Sequence, residues 1–275
     1  LNTLAARELK QKAPFICRGG KDQCDRKCEI ARIEIEGKTY PFGGSCRKYE
    51  NVRLSRRHDS IRYDHVAGRT NTLFHIRPAA GFASNRSPLQ IGINNSFLMH
   101  TYFPLFSTFF TSLGMEVILP DSVDPESAAR RGAAFCYPME AAHGTFGNLI
   151  DRNPNFYFLP MIKLLPYHNN GTRANTCVFV QSESSVLPGT FADRLPRDRI
   201  LRPTLDLSHG LSAAEDPLLA VAKKLGVDKR TARRAFQEAL AAQESYSNAL
   251  VESGAAALAE VESDPSQFAV VLFGR

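Results

Sequence analysis

Residues 89–119 read LQIGINNSFLMHTYFPLFSTFFTSLGMEVIL, and this stretch determines the fold class. Leu89–Ile93 is a short apolar run typical of a buried strand. The aromatic-rich segment Tyr102–Leu113 predicts a helix, and Gly114 is well placed to end it. Glu116–Leu119 predicts a second strand. The gap between the two strands is long enough for one crossover helix, which is the connection that a parallel pair requires.

The same alternation of strand and helix signals continues along the chain. A short helix is expected to open at Asp124-Pro125, since aspartate is a good N-cap and proline suits the first turn. The remaining expected elements are a short apolar run at Ala133–Cys136, a helix over Met139–Ile150, and strands over Phe156–Ile162 and Cys177–Gln181. This order predicts an α/β fold, in which a parallel sheet is covered by helices on both faces to give three layers.

We divide the chain into four segments on this basis. Residues 1–50 form a small N-terminal cysteine-rich β module, residues 51–87 a basic connector of irregular structure, residues 88–208 the α/β domain, and residues 209–275 a C-terminal helical segment with a final strand. In the first segment CEIARIEIEG alternates apolar and polar residues, and a hairpin turn is expected at Gly37-Lys38.

The last segment is expected to contain a long helix that Asp228 caps and Gly254 interrupts. Its final strand, Phe268–Phe273, is expected to lead into a further domain of a longer chain. The stretch LLAVAKKLGVDKRTARRAFQEAL has some helix-turn-helix character, which makes a DNA-binding regulator a third reading of the chain. The second helix is too long for a recognition helix, so the sequence argues against nucleic acid as a partner.

Composition and charge suit an ordinary soluble protein. The chain has 275 residues, a formal charge of +6 and a pI of about 9.1, which favours acidic or phosphate-bearing partners. No apolar run approaches the roughly 20 residues that a membrane span needs. The first residues, LNTLAARELKQ, lack the apolar centre of a signal peptide. We therefore expect a cytoplasmic protein with no membrane partner.

Four of the six cysteines fall within the first 46 residues: Cys17, Cys24, Cys28 and Cys46. Four thiolates close together in the sequence suit a tetrahedral zinc ion or an iron–sulfur cluster, and glycines beside them allow the tight turns that ligand loops need. The alternative is that these cysteines are reduced structural residues or are partly linked by disulfides. Because a module of about 50 residues has a thin core, bound metal would supply stability that it lacks.

A second candidate site involves Cys136, which precedes a predicted helix at the place where open α/β sheets bind ligands. His143 lies seven residues on, about two helical turns, and can share a face with Cys136. Cys177 begins a later predicted strand and is expected to approach Cys136 across the sheet edge. The alternative is that each of the three is an ordinary buried residue. No nucleophile elbow, phosphate-binding loop or dinucleotide-binding motif is present in the sequence.

Three segments together resemble the activase-related proteins that accompany the 2-hydroxyacyl-CoA dehydratases. They are CDRKCEIARIEIEGKTYPFGGSC, the stretch of residues 89–120 together with FCYPMEAAHGTFGNLID, and the helical tail that ends in VVLFGR. The resemblance implies a place in ATP-coupled, low-potential electron transfer to acyl-CoA chemistry in anaerobic metabolism. It implies an iron–sulfur cluster as cofactor, with Cys136 and Cys177 at cluster-binding positions and the four N-terminal cysteines as an opening cluster. Zinc is the alternative that the spacing of the cysteines leaves open.

The partners implied by this resemblance are ATPase and dehydratase-like domains of the same long chain, with acyl-CoA as a possible ligand. The sequence assigns no reaction to this chain alone. The competing interpretation is a non-catalytic scaffold or interaction domain of a larger multidomain protein.

Overall fold

The computed structural model describes residues 8–18, 27–44, 49, 65–74, 88–132, 136–166 and 174–264. It divides into two compact units, residues 1–65 and 66–275, and each is considered by itself. Among the described residues no helix combines the length and the apolar character needed to cross a membrane.

The first unit contains a three-stranded antiparallel sheet in the order β1-β2-β3. Its strands are β1 (Leu9–Ile16), β2 (Glu29–Ile35) and β3 (Lys38–Phe42). The predicted hairpin is confirmed, but its turn lies at Glu36-Gly37, one residue earlier than expected, with Ile35 paired to Lys38. Both turn residues have positive φ, +51° and +74°, as a tight two-residue hairpin requires. β1 was not predicted, because its sequence LKQKAPFI shows little alternation of apolar and polar residues. Most of its residues are exposed in the structure.

The second unit is built on a four-stranded parallel sheet in the order β5-β4-β6-β8, with a separate parallel pair formed by β7 and β9. The predicted α/β class and parallel sheet are therefore confirmed. The strands are β4 (Gln90–Ile93), β5 (Glu116–Ile118), β6 (Phe156–Phe158), β7 (Met161–Leu164), β8 (Ile200–Leu201) and β9 (Thr204–Asp206). The single strand predicted over Phe156–Ile162 is thus two strands in different sheets. They are separated at Leu159-Pro160, where proline has no N–H to donate to a ladder.

Seven described helices surround these strands, and two 3₁₀ turns lie at Arg197–Arg199 and Leu211–Ala214. The helices are α1 (His65–Phe74), α2 (Met99–Ser112), α3 (Pro125–Ala129), α4 (Tyr137–Asp151), α5 (Val178–Thr190), α6 (Glu215–Lys224) and α7 (Lys229–Ser263). The expected N-cap is confirmed at Asp124, whose carboxylate accepts hydrogen bonds from the backbone N–H groups of Glu126 and Ser127.

The main sheet has a hydrophobic core on each face. Successive strand residues point to opposite faces, so Tyr157 and Phe158 belong to different cores. Phe158 and Leu201 pack with buried residues of α2, α6 and α7. Tyr157 and Ile200 pack with buried residues of α4 and α5. The three-layer arrangement predicted from the sequence is present.

Two further local predictions differ from the structure. The strand predicted over Cys177–Gln181 is wrong, because Cys177 is the N-cap of α5 and the following residues are helical. Its valines and phenylalanine have the composition of a strand, but tertiary packing overrides such local preference. Residues 65–74, expected to be irregular, form α1, which buries Leu73 completely. Of the apolar run predicted over Ala133–Cys136, residues 133–135 lie outside the described residues, as does the predicted strand Phe268–Phe273.

The C-terminal helical segment contains α7, a helix of 35 residues that packs along α2. The cap at Asp228 is confirmed, since its side chain accepts a hydrogen bond from the backbone N–H of Thr231 over 3.0 Å. Gly254 does not interrupt the helix. A glycine in a helix interior lowers helix stability by only about 1 kcal/mol relative to alanine. The neighbouring residues are good helix formers, so the helix continues through Gly254.

Candidate functional site

The strand order places a topological switch point between β4 and β6. From β4 the chain passes through α2 to β5, on one side of β4. From β6 it passes through α5 to β8, on the opposite side, and the two helices cover different faces. Connections that diverge in this way leave a crevice outside the carboxyl ends of the two strands, where open α/β sheets bind ligands.

A cavity of about 740 Å³ lies at this edge of the sheet. Three connections contribute to its wall, those that lead from β4 to α2, from β5 to α4 and from β6 to α5. Ser96 comes from the first, Cys136 from the second and Cys177 from the third, while Arg69 of α1 completes part of the rim. Most of the remaining wall is apolar, with Leu98, Pro138, Ala141, Ala142, Leu165 and Val180. A cavity of this size and character is typical of a site for a small organic ligand or cofactor.

The two predicted cysteines occupy equivalent positions, each as the N-cap of a helix that begins at the cavity. The carbonyl of Cys136 accepts from the N–H of Glu140 over 3.2 Å, and that of Cys177 from the N–H of Gln181 over 3.1 Å. Neither cysteine side chain makes a capping hydrogen bond. Both are partly exposed. Two helices therefore begin beside these two cysteines, and both cysteines line the same cavity.

His143, the third residue proposed from the sequence, is not among the residues that line the cavity. It is buried on α4, and its Nδ1 lies 2.8 Å from the carbonyl oxygen of Met139. Its Nε2 lies 3.5 Å from the hydroxyl of Thr190 on α5. The structure thus brings Cys136 and Cys177 together and places His143 between α4 and α5.

A different histidine, His100 in the first turn of α2, lines the cavity. Burial lowers its pKa, and the positive charge of Arg69 lowers it further. The ring also makes an edge contact with Phe74, 5.4 Å between centroids. His100 therefore presents a neutral imidazole at neutral pH. The sequence contained no motif that singled out this residue.

A buried polar cluster lies directly behind the cavity wall. Ser96 and Asn94, which follow β4, both donate hydrogen bonds to Oε1 of Glu183 on α5. Burial raises the pKa of Glu183 to about 7, although the two hydrogen bonds oppose the shift. Sequence reasoning missed this carboxyl. The available signal was a lone acidic residue in the otherwise uncharged helix VFVQSESSVLPGT.

Two of the four N-terminal cysteines, Cys24 and Cys46, lie outside the described residues. The other two are neighbours, because the N–H of Cys17 donates to the carbonyl of Cys28 over 2.8 Å. Gly44 has φ of +93°, and a Cβ there would lie 3.5 Å from Cβ of Cys28 and 2.9 Å from Ile30. The glycine therefore allows the chain that leads toward Cys46 to approach Cys28 closely.

Thiolates suit zinc and iron–sulfur clusters, so the donor chemistry at both places fits the implied cofactors. Within the described residues, however, no group of three His, Cys, Asp or Glu side chains is arranged to hold a metal ion. In the cavity, Cys136 and Cys177 would supply two thiolate ligands, and the other coordination positions would remain for sulfide, water or a ligand.

Comparison with known proteins identifies the family. The model of a family described as the CoA enzyme activase uncharacterised domain matches residues 90–275, about two thirds of the chain. No curated protein and no solved structure matches the chain in the corresponding comparisons. The matched region includes the parallel sheet, the long helix and every residue of the cavity wall except Arg69. The chain therefore belongs to the CoA enzyme activase family, as a member that carries its uncharacterised domain.

Proposed function

We propose that this chain is an electron-transfer component of an ATP-coupled system acting on acyl-CoA, and that it holds an iron–sulfur cluster through Cys136 and Cys177. One observation carries the proposal: two cysteines from separate connections, 41 positions apart in the sequence, line one cavity at the switch point of the sheet. Membership of the CoA enzyme activase family gives the chemical context.

The chemistry of the donor set favours a reactive site over a structural one. A structural zinc site is closed by four protein ligands, whereas a reactive site keeps a position open. The described residues offer two thiols at the cavity and no third ligand grouped with them. When bound, a cluster would supply one-electron chemistry at the open positions. Zinc is the alternative occupant, and it would supply Lewis acidity there.

The wall of the cavity supports an organic ligand beside such a centre. About 740 Å³ is enough for an acyl group and part of its carrier, and the apolar side chains of Leu98, Leu165 and Val180 suit a hydrocarbon chain. Arg69 at the rim offers a positive charge for a carboxylate or phosphate. Acyl-CoA is the ligand class that this combination fits best.

The N-terminal cysteines form a second proposed metal centre. The contact between Cys17 and Cys28, and the close approach at Gly44, support a compact site that Cys24 and Cys46 would complete. We propose zinc or an iron–sulfur cluster there as a stabilising centre of the first unit. The proposed partners of the chain are ATPase and dehydratase-like domains of the same long protein, in the cytoplasm.

The test is anaerobic purification and reconstitution of the full chain, followed by the visible spectrum and by measurement of iron, zinc and acid-labile sulfide per chain. The proposal predicts iron and sulfide with broad thiolate-to-iron absorption. Part of both should be lost in Cys136→Ser and in Cys177→Ser. Cys28→Ser is the matched control, because it removes metal from the N-terminal centre and leaves the cavity's share unchanged. Retention of all iron and sulfide in Cys136→Ser would contradict the cavity assignment.

A scaffold function is the second candidate, and the exposure of the second half of α7 favours it. Val251 and Leu258 are 72% and 52% exposed on a helix that continues to Ser263. Apolar side chains on an extended helix suit packing against a neighbouring domain. If the reconstituted chain bound zinc only at the N-terminal cysteines and nothing in the cavity, this function would be the better description.

A further inference from the structure

Glu183 lies one hydrogen bond behind the wall of the cavity. Ser96 lines the cavity and donates its hydroxyl proton to Oε1 of Glu183. Nδ2 of Asn94 donates to the same oxygen over 3.0 Å and also lies 3.1 Å from Oγ of Ser96. Glu183 is only 8% exposed. The Ser96 hydroxyl therefore links the Glu183 carboxyl to the cavity by a hydrogen bond.

The groups around this carboxyl are uncharged. The connection after β4 contributes Asn94 and Ser96, and α4 contributes the carbonyl of Ala142, which also accepts from Asn94. The other titratable group of α4 in this region is His143, whose ring nitrogens face Met139 and Thr190. Burial is the largest influence on the pKa of Glu183 and raises it to about 7, and the hydrogen bonds from Ser96 and Asn94 oppose that rise. Only neutral hydrogen-bond donors oppose the effect of burial on the pKa of Glu183. A charge added nearby will therefore change the fraction of Glu183 that is protonated.

Such a charge would arrive in the cavity. Because Glu183 is buried, water screens a nearby charge only weakly, and a negative charge disfavours ionisation of the carboxyl. A thiolate, a cluster that gains an electron or the carboxylate of a ligand would each act in the same direction. Each would shift Glu183 from its ionised to its protonated form near neutral pH.

We propose that negative charge entering the cavity at Cys136 or Cys177 is accompanied by proton uptake on Glu183, with Ser96 as the hydrogen-bonded link. The step is balanced, since the Glu183 carboxylate takes one proton from solvent and no other bond forms or breaks. Before protonation, the hydrogen bonds from Asn94 and Ser96 stabilise the Glu183 carboxylate. The inference goes beyond the proposed function, because it holds for any anionic or reduced group in the cavity.

Two alkylating reagents that differ in charge provide the test. Iodoacetate leaves a carboxylate on each accessible cysteine of the full chain, whereas iodoacetamide leaves a neutral amide of nearly the same size. The protonation of Glu183 can be followed by infrared spectroscopy as the carboxylic acid C=O band that titrates near neutral pH and is missing in Glu183→Gln. We expect a higher midpoint in the iodoacetate-treated protein. The ratio of protonated to ionised Glu183 at pH 7 should be at least about threefold larger than after iodoacetamide, since half a pKa unit corresponds to that factor.

Two control variants complete the test. In the Cys136→Ser/Cys177→Ser double variant the two reagents should give the same midpoint, because only cysteines outside the cavity are modified. Ser96→Ala should raise the midpoint after either reagent, since it removes a hydrogen bond that favours the carboxylate. The proposal would be overturned by equal midpoints for the two reagents in the wild-type chain. It would also be overturned if Glu183→Gln removed no band that titrates near neutral pH.

Discussion

The side-chain amide of Gln243 on α7 bonds to the backbone of Leu105 on α2, at the turn that contains Pro104. Its Oε1 accepts from the N–H of Leu105 over 3.2 Å, and its Nε2 donates to the carbonyl of Thr101 over 3.0 Å. Proline inside a helix removes one hydrogen bond and crowds the preceding turn. Gln243 therefore supports α2 where its own ladder is weakest, and it fixes the helix whose first turn lines the cavity.

Replacing Gln243 by leucine should destabilise the second unit. The substitution keeps the volume but removes both hydrogen bonds from Gln243 to the backbone of α2, and each buried hydrogen bond contributes about 0.5–1.5 kcal/mol. Urea unfolding monitored by circular dichroism measures this loss. Glu244→Gln, at an exposed neighbouring position, is the control and should change the free energy of unfolding by less than about 0.5 kcal/mol. Equal stability of Gln243→Leu and wild type would refute the structural role assigned to the amide.

Glu183 should make stability depend on pH. Because burial raises its pKa from 4.5 to about 7 in the folded protein, the folded state binds the proton more tightly than the unfolded state. Its stabilising contribution is fully present below pH 4.5, falls as the pH rises from 4.5 to 7, and is lost above 7. The total is on the order of 3 kcal/mol. Glu183→Gln keeps the shape and cannot ionise, so the difference in free energy of unfolding between variant and wild type should shift in favour of the variant across this window. A difference that stays constant from pH 4.5 to 8 would contradict the burial assigned to this carboxyl.

Gly147 should not tolerate alanine. A Cβ at this position of α4 would lie 2.2 Å from Cβ of Ser127 and would overlap its hydroxyl, so α3 and α4 would have to separate. We expect Gly147→Ala to lower the free energy of unfolding by about 3 kcal/mol, as overpacked sites do. Gly254→Ala is the matched control, because no atom lies within 4 Å of the added Cβ. It should stabilise α7 by about 0.5–1 kcal/mol. Similar effects of the two substitutions in thermal unfolding would argue against the close approach of α3 and α4.

The parts of the fold that the sequence predicted correctly are those with strong local signals. The apolar run at Gln90–Ile93 and the glycine after α2 defined a strand, a helix and a second strand, and the alternation in β2 defined a hairpin. The start of α5 was predicted wrongly because Val178, Phe179 and Val180 have the composition of a strand. The helix is stabilised by the packing of α5 against the sheet, through residues such as Leu187.

The candidate site was predicted only in part, because local sequence signals place single residues but do not show which segments meet in the fold. Cys136 was placed correctly at the start of a helix, and Cys177 was expected to approach it across the sheet edge. The convergence of both on one cavity depends on strand order, which no local pattern specifies. Glu183 and Ser96 are 87 positions apart, so their hydrogen bond could not be inferred from either segment alone. His143 has the spacing to share a face with Cys136, but its ring lies between α4 and α5.

We proposed above that Cys136 and Cys177 bind metal together as one site. The most direct measurement is an anaerobic titration of the full chain with Co²⁺, a spectroscopic substitute for zinc and iron, followed by its thiolate-to-metal absorption. Wild type is compared with Cys136→Ser, Cys177→Ser and the double variant, so that absorption from the N-terminal cysteines is common to all. If the proposal of one shared site is correct, each single substitution should remove the same component, and the double variant should lose no more than either single one. Independent, additive losses, or full absorption in both single variants, would contradict it.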